Sequence, residues 1–411
     1  MKISLYIHIP FCVRKCLYCD FLSGPFDDKV RTRYIAALIK EISLRSLEYQ
    51  NYEVISIFFG GGTPSILDGE DILSIMNVIR DKYTLQENAE ISIECNPGTV
   101  DSKKLKCFKD AGINRISIGL QSSIDEELRV LGRIHTRADF ENIYKQALST
   151  DFRNVNVDLM SGLPNQSVED YRKTLEYVTG LEPKPTHISA YSLIIEEGTP
   201  FYDMLIKHEC KNECKFSEED SDFMNNWKLP NEDDERMMYE ITADILGENG
   251  YQRYEISNYA MKGYECIHNS VYWKRGNYLG FGLGASSMVN NVRWQNETDI
   301  ERYIENCDEN YVNQKSELSN DRQDVNLCIE RQELSKEEQM EEFMFLGLRM
   351  MEGISINEFR EYFNEDMPGQ FYDVIEKYKA MGLMQCKNDR IMLTKDGINV
   401  SNTIFSEFLL A

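Results

Sequence analysis

The segment HIPFCVRKCLYCDF, residues 8–21, places three cysteines close together, directly after a short apolar run and a proline. Cys12, Cys16 and Cys19 are separated by three and then by two residues. A loop that follows a strand allows such thiolates to converge, and thiolates are the usual ligands of iron–sulfur clusters and of zinc. The spacing therefore predicts a metal centre near the start of the chain.

The absence of a fourth nearby cysteine helps to distinguish a zinc site from an iron–sulfur cluster. A structural zinc site normally has four protein ligands, and no second CxxC pair follows at a suitable distance. Three thiolates on a cluster of four irons would leave one iron free to bind a small molecule. Two alternatives stay open on spacing alone: a zinc loop completed by His8 or Asp20, and a redox pair of Cys16 and Cys19.

Strand-like and helix-like segments alternate through the first half of the chain. The strand-like runs are ISLYIHI, VISIFFGGG, EISIECNPG, RISIGLQ, NVNVDLMSGLP and HISAYSL, and segments with apolar residues at helical spacing lie between them. Repeated βα units build a parallel sheet. Six units up to about residue 195 predict an α/β fold with an incomplete TIM-like (β/α)6 barrel.

Side chains with ligand chemistry fall at or just after the ends of these predicted strands. They are Cys12, Thr63, Glu94, Gln121, Asp158 and Tyr191. Parallel α/β folds assemble their sites at the carboxyl ends of the strands. Each of the polar residues alone is explained equally well as a cap or a solvated side chain, but the series on successive strands favours a binding site.

Composition excludes several classes of function. The 411 residues include 69 acidic and 45 basic side chains, for a net charge of -24, which disfavours binding to nucleic acid or to an anionic membrane surface. No apolar stretch approaches the ~20 residues of a membrane span, and the first residues lack the apolar region of a signal peptide. We expect a cytoplasmic protein.

The chain divides into three predicted parts. Residues 1–205 form the barrel, and residues 206–335 form an extension with acidic, poorly periodic insertions and the late motif HNSVYW. Residues 336–411 are predicted to form a small, mainly helical C-terminal domain that resembles a winged helix. Cys210 and Cys214, with His208, suggest a second metal site, although an acidic insertion explains them more simply.

The segment CVRKCLYC resembles the CxxxCxxC signature of radical S-adenosylmethionine (SAM) enzymes. The resemblance implies a 4Fe-4S cluster on Cys12, Cys16 and Cys19, whose open iron binds the amino and carboxylate groups of SAM. The reduced cluster of this family cleaves SAM to a 5'-deoxyadenosyl radical or holds it in a related role. Whether this chain cleaves SAM stays open.

The same resemblance implies the residues that bind SAM. They are Gly61, Gly62 and Thr63 in GGGTPS, Glu94, Gln121 and Asp158 at strand ends, Arg133 as a partner of the SAM carboxylate, and Tyr6 and Tyr18 beside the cluster loop. Simpler explanations exist for several of them. A glycine-rich turn is often only a turn, Arg133 suits a surface ion pair, and Tyr6 suits a core strand.

YIHIPFC, GGGTPS, GLQS and the C-terminal segment are similar to the coproporphyrinogen III oxidase-like subgroup. This subgroup includes an oxygen-independent coproporphyrinogen III dehydrogenase and heme chaperones. The dehydrogenases carry a further cysteine two positions after the third, where this chain has Phe21, and have a long N-terminal extension. The late HNxxYW motif, residues 268–273, resembles the heme chaperones, so decarboxylation of coproporphyrinogen is the alternative function.

The heme-chaperone resemblance implies that heme is the cargo and that a heme-receiving protein, a respiratory membrane enzyme, is the partner. It also implies a location in the cytoplasm or at the membrane through that partner. His268 is the predicted heme ligand, because neutral imidazole binds iron well, and Tyr272 and Trp273 would pack on the porphyrin. Without the resemblance, a buried, hydrogen-bonded structural role is the more common one for such a histidine.

Overall fold

The computed structural model describes residues 1–209, 227–307 and 328–409. Six parallel strands form the centre of its large sheet, and strands that are consecutive along the chain are neighbours in the sheet. They are β1 (Lys2–Ile9), β2 (Glu53–Gly61), β3 (Thr84–Cys95), β4 (Arg115–Gln121), β5 (Asn154–Ser161) and β6 (His187–Ser192). The predicted α/β fold with six βα units is confirmed.

Six helices lie between successive strands, and a seventh follows β6. They are α1 (Asp28–Arg45), α2 (Gly69–Lys82), α3 (Ser102–Asp110), α4 (Asp125–Val130), α5 (Arg137–Ser149), α6 (Val168–Thr179) and α7 (Pro200–Glu209). Short polar residues start several of them. At α5, Thr136 accepts from the Asp139 amide while Asp139 accepts from the Thr136 amide, a capping box whose loss typically costs about 1 kcal/mol.

Side chains of β1 alternate between an apolar outer face and a polar interior. Ile3, Leu5 and Ile7 are buried in the main hydrophobic core. The residues between them face the other way, and Ser4 Oγ accepts a hydrogen bond from Ser56 Oγ of β2 over 2.7 Å. This face of β1 also carries Tyr6 and His8, which hydrogen-bond to each other, so polar groups line the inner side of the strand.

Later strands extend the sheet at both edges, which the sequence did not predict. Next to β6 lie β8 (Asn258–Ala260) and β7 (Gln252–Glu255), and next to β1 lie β9 (Tyr278–Phe281), β10 (Ser286–Val289), β11 (Val292–Asn296) and β12 (Cys328–Glu333). The pairing of β9 with β1 is parallel. Helices α8 (Glu232–Glu248), α9 (Ile267–Trp273) and α10 (Ile300–Asn306) accompany these strands.

The C-terminal part has a hydrophobic core of its own and is mainly helical, as predicted. Its elements are α11 (Lys336–Gly347), β13 (Ile354–Ser355), α12 (Ile356–Phe363), α13 (Met367–Gln370), α14 (Tyr372–Ala380), β14 (Met384–Lys387), β15 (Arg390–Leu393), α15 (Lys395–Asn399) and α16 (Ser401–Ser406). Strands β14 and β15 form a hairpin whose turn begins at Asn388, with φ of 55°. No helix in the described part of the chain has the length and apolarity needed to cross a bilayer.

Candidate functional site

The three predicted cluster cysteines lie on the loop between β1 and α1. Main-chain hydrogen bonds fix this loop: the Cys12 amide donates to Gly24 O over 2.9 Å, and the Leu17 amide donates to Leu131 O over 3.2 Å. All three thiols are free and half-buried, and all three line one cavity of about 210 Å³. The fold therefore brings the cysteines to one site at the carboxyl ends of the strands.

The thiols surround the cavity without converging on one point. Among the residues that the structure describes, no three His, Cys, Asp or Glu side chains lie close enough to hold a single metal ion. His8, considered as a fourth zinc ligand, instead hydrogen-bonds through its ring nitrogens to Tyr6 Oη at 3.1 Å and Leu22 O at 3.0 Å. Separated thiols suit a cluster, in which each thiolate takes its own iron, better than one zinc ion.

The glycine-rich turn after β2 packs tightly against the cysteine loop. Gly61 has φ of 112°, and a Cβ there would lie 2.6 Å from the His8 ring. A Cβ at Gly62 would lie 3.0 Å from Cys12 Sγ. Thr63 Oγ1 is 3.6 Å from the same sulfur. The turn thus places main-chain groups and a hydroxyl directly beside the first cysteine, which only glycine at both positions permits.

Two carboxyl groups line the cavity, Glu94 near the end of β3 and Asp158 within the second half of β5. Asp158 accepts hydrogen bonds from Ser117 Oγ over 3.0 Å and from Asn156 Nδ2 over 2.7 Å. Desolvation, reinforced by the nearby charge of Asp158, raises the pKa of Glu94 from 4.5 to about 8. A carboxyl group that is neutral in the empty cavity and ionises beside a cation suits recognition of an ammonium group.

Gln121 occupies the cavity wall in a strained backbone conformation. It ends β4 with φ of 70°, in the left-handed region that most residues avoid. Tyr191 Oη donates to Gln121 Oε1 over 2.8 Å and holds its amide in place. Strain of this kind costs of order 1–3 kcal/mol and is concentrated at functional sites.

Arg133 connects the cysteine loop to the segment after β3. Its Nη2 donates to Tyr18 Oη over 2.6 Å, and its Nη1 donates to Asn96 Oδ1 over 3.0 Å. Asn96 Nδ2 in turn donates to Thr63 Oγ1 over 2.9 Å. Burial raises the pKa of Tyr18 to about 12, so its phenol stays neutral. Arg133 is therefore a cation in the cavity wall whose position is fixed by hydrogen bonds, and it is not a surface ion-pair partner.

The single cavity accounts for nearly all of the predicted site. Its lining includes Cys12, Cys16, Cys19, Tyr18, Gly61, Gly62, Thr63, Glu94, Gln121, Arg133 and Asp158. It also includes Asn96, Ser117 and Tyr191, which were not predicted as cofactor contacts. Asn96 and Tyr191 lie at or beside strand ends, which was the available signal, whereas Ser117 lies within β4 and had no such signal. Tyr6 is the one predicted cofactor residue that the structure does not bring to this wall.

The chain matches two known families. Residues 6–178 match the radical SAM superfamily, and residues 334–400 match the HemN C-terminal domain. The heme chaperone HemW of Bacillus subtilis (strain 168) is 32% identical over 407 residues, which covers 99% of both chains. The chain belongs to the HemW family. The heme chaperone HemW of Escherichia coli (strain K12) is 38% identical over 288 residues, or 70% of each chain.

A solved structure shares the fold of this HemW-family chain. Coproporphyrinogen III oxidase (HemN) from Escherichia coli, described as a radical SAM enzyme, superposes with a TM-score of 0.79 at 21% identity. The match covers 99% of this chain and 90% of that one. At this level of identity the similarity shows the fold alone, so the choice between chaperone and oxidase depends on the sequence relatives and on the site.

His268 of the HNxxYW motif lies at the opposite end of the barrel from the cysteines. It is 1% exposed, and its ring nitrogens hydrogen-bond to Ser56 Oγ at 2.9 Å and to Tyr272 Oη at 2.9 Å. Burial, reinforced by the charge of Arg115, lowers its pKa to about 3, so the ring is neutral. A neutral imidazole can ligate iron, but in this conformation both ring nitrogens of His268 already have hydrogen-bond partners.

The helix that carries this histidine is fixed by a buried carboxylate. Glu90 of β3 accepts from the Ile267 amide over 3.0 Å and from the His268 amide over 3.1 Å, at the N-terminal end of α9. Tyr6 lies nearby, with its ring centroid 6.4 Å from that of His268. Tyr6 thus belongs to the barrel interior between the two ends. The side chain of His208, Cys210 and Cys214 lie outside the described residues.

Proposed function

We propose that this chain is a heme chaperone that holds a 4Fe-4S cluster and SAM, binds heme, and passes the heme to a recipient protein. The observation that carries the proposal is the coincidence of two facts. The chain is similar to HemW proteins over its whole length, and its three signature cysteines line one cavity with the strand-end residues that the radical SAM resemblance implies.

The lining of the cavity fits both cofactors. Cys12, Cys16 and Cys19 would hold three irons, which leaves the fourth iron without a protein thiolate. When bound, such a cluster supplies electrons to the sulfonium of SAM. The carboxyl group of Glu94 and the guanidinium of Arg133 offer opposite charges for the ammonium and carboxylate ends of SAM. Main-chain groups at Gly61–Gly62 can approach the same ligand closely.

The competing function is oxidative decarboxylation of coproporphyrinogen III by the same cofactors. The fold shared with HemN is compatible with this competing function. The position two residues after Cys19 argues against it, because Phe21 stands there, with 64% of its surface exposed, instead of a further cysteine. The full-length relatives among curated proteins are named as chaperones.

We also propose that the HNxxYW motif takes part in heme binding. His268 keeps the role of heme ligand as a prediction, and direct ligation requires α9 to turn the ring away from Ser56 and Tyr272. We propose a respiratory membrane enzyme as the recipient of the heme. The chaperone would then work in the cytoplasm and reach the membrane through that partner.

Two assays on the anaerobically reconstituted protein test the proposal. In the first, heme-loaded protein is mixed with a heme-free b-type cytochrome, and we expect the absorption of the acceptor's heme to appear. In the second, the protein is incubated with SAM, a reductant and coproporphyrinogen III, and we expect no protoporphyrinogen. Formation of protoporphyrinogen without heme transfer would establish the oxidase function instead.

A further inference from the structure

We propose that the porphyrin of heme binds in a cavity between α9 and the C-terminal domain, against Trp273 and Tyr362. This inference rests on the proposed heme-binding function and adds the place where binding occurs. The cavity has a volume of about 640 Å³, within the range of about 300–1,000 Å³ that is usual for ligand pockets. The cluster cavity, at about 210 Å³, is smaller and is the proposed site of SAM and the cluster.

The wall of this cavity offers the aromatic and apolar surface that a porphyrin needs. Its apolar lining consists of Trp273, Phe343, Met350, Ile354 and Tyr362. Phe343 packs edge-on against Phe359, with ring centroids 5.5 Å apart, so the C-terminal core anchors this wall. Tyr362 is 76% exposed. An exposed aromatic ring at the edge of a cavity suits contact with a flat ligand.

Trp273 is held rigidly, yet its indole NH is unpaired. The Arg349 guanidinium lies 4.2 Å from the centroid of the Trp273 ring, and the same arginine pairs with buried Glu255 at 3.6 Å. Within the described part of the chain, the buried Nε1 of Trp273 has no hydrogen-bond partner. Because the indole nitrogen itself has almost no exposed surface, a ligand in the cavity would contact the ring of Trp273 and not its NH.

The polar part of the wall already holds a carboxylate where a heme propionate would lie. Glu352 pairs with Lys274 at 2.8 Å and approaches Arg390 to 3.8 Å. The lining as a whole contains the cations Lys274, Arg275 and Arg390 and the carboxylates Glu352, Glu358 and Glu361. This balance contrasts with the net charge of -24 for the chain. Glu352 therefore competes with any ligand carboxylate for Lys274 and Arg390.

Two lining side chains have atoms that ligate heme iron in other proteins. They are the thioether of Met350 and the phenol of Tyr362. Met350 is buried, and its own amide donates to Gly347 O over 3.1 Å. Tyr362 is exposed, and its ring centroid lies 6.2 Å from that of Phe343. Met350 and Tyr362 thus offer iron ligands on the Trp273 side of α9, and His268 would join them only if α9 turned its ring away from Ser56 and Tyr272.

A second cavity, on the other side of α9, has about 720 Å³ but the wrong chemistry. Its polar lining consists of Glu90, Glu265, Ser270 and the amides of Asn88, Asn114 and Asn154, and Lys274 is the one cation among its described lining residues. Those lining residues include no aromatic side chain. A planar dianion would meet two carboxylates, one cation and no ring there, whereas the Trp273 cavity balances its three carboxylates with three cations and offers aromatic rings, so it is the better site.

Hemin titration of the cluster-loaded protein, followed by Soret absorption, tests the assignment. We expect Glu352→Gln to tighten hemin binding about two- to fivefold, because Lys274 and Arg390 become available to the propionates. We expect Tyr362→Ala to weaken binding about tenfold through loss of ring contact. Both residues are exposed, so folding is preserved. Glu365→Gln, in the ion pair with Lys336, and Tyr372→Ala are matched controls that should bind as the unaltered protein does.

The outcomes separate this inference from the function on which it rests. If the unaltered protein binds hemin and both Glu352→Gln and Tyr362→Ala bind with unchanged affinity, the heme lies elsewhere and the cavity assignment is overturned. If the unaltered protein does not bind hemin at all, the proposed chaperone function itself fails. Tighter binding in Glu352→Gln or weaker binding in Tyr362→Ala, with unchanged controls, supports the assignment.

Discussion

The Nη2 of Arg133 donates to the phenol of Tyr18 over 2.6 Å and ties the segment after β4 to the cysteine loop. Both residues line the cluster cavity. The second guanidinium branch is used as well, since Nη1 donates to Asn96. The planar, two-pronged shape of arginine is therefore essential to this arrangement, and the positive charge alone is not sufficient.

This geometry predicts the effect of Arg133→Lys. The substitution keeps the positive charge but loses the fork that contacts two partners, and we expect SAM affinity to fall about tenfold. Equilibrium dialysis of SAM against the reconstituted protein measures it. Arg129→Lys, in an exposed ion pair with Glu126, is the matched control and should have no effect. Equal SAM affinity in the two variants would exclude Arg133 as a contact of SAM.

The pKa of Glu94 predicts a pH-dependent affinity for SAM. At about 8 it exceeds the ordinary value of 4.5, so the carboxyl group is protonated at neutral pH when the cavity is empty. An ammonium group favours the ionised form, so binding releases a proton and affinity should rise between about pH 6 and pH 8. Calorimetry in buffers of different ionisation enthalpy measures that proton.

Glu94→Gln should remove the pH dependence of SAM affinity. Glu127→Gln is the control, since burial also raises the pKa of Glu127. Its carboxyl group accepts hydrogen bonds from Ser122 and Gln166 and lies outside the cavity. A SAM affinity that is independent of pH in the unaltered protein would show that Glu94 does not pair with the ammonium group.

Much of the barrel and its site is predictable because strand periodicity and strand-end position are local signals. The cysteine loop, the glycine turn and the carboxylates at Glu94 and Asp158 all follow directly from the six apolar runs. The location of Tyr6 does not. The location of Tyr6 depends on which face of β1 its side chain occupies and on the distance between Tyr6 and the cluster cavity. Both are properties of the assembled barrel.

The extension was harder to predict because its strands are short and because α9, the helix that carries the HNxxYW motif, has only seven residues. Strand β8 has three residues and β9 has four, too few for a periodic pattern to stand out. The burial of His268 depends on the direction that α9 faces, which Glu90 fixes from a distant strand. The boundaries 1–205, 206–335 and 336–411 stay predictions.

The packing of Gly62 predicts loss of the cluster in Gly62→Ala. The added methyl carbon would lie 2.7 Å from Phe11 O and 3.0 Å from Cys12 Sγ, so the cysteine loop must move. We expect iron and sulfide content to fall by at least about half, with little change in circular dichroism. In Gly247→Ala the new methyl meets no atom within 4 Å, so that control should keep its cluster. Full iron content in Gly62→Ala would contradict this packing argument.

The burial of His268 predicts two effects of His268→Ala. Removal of a buried ring with two hydrogen bonds should lower the free energy of unfolding by about 2–4 kcal/mol, measured by urea denaturation. Heme affinity should fall while cluster absorption stays unchanged. His135→Ala is the control, because His135 is also buried but lies outside the motif. Unchanged heme affinity in His268→Ala would exclude a role of this histidine in heme binding.

The central claim is that three cysteines hold a four-iron cluster whose remaining iron binds SAM. Electron paramagnetic resonance of the anaerobically reconstituted, dithionite-reduced protein, recorded with and without SAM, tests it most directly. The account predicts about four irons and four sulfides per chain and a reduced-cluster signal that changes when SAM is added. A protein with about one zinc and no sulfide, or a cluster signal that SAM leaves unaltered, would contradict it.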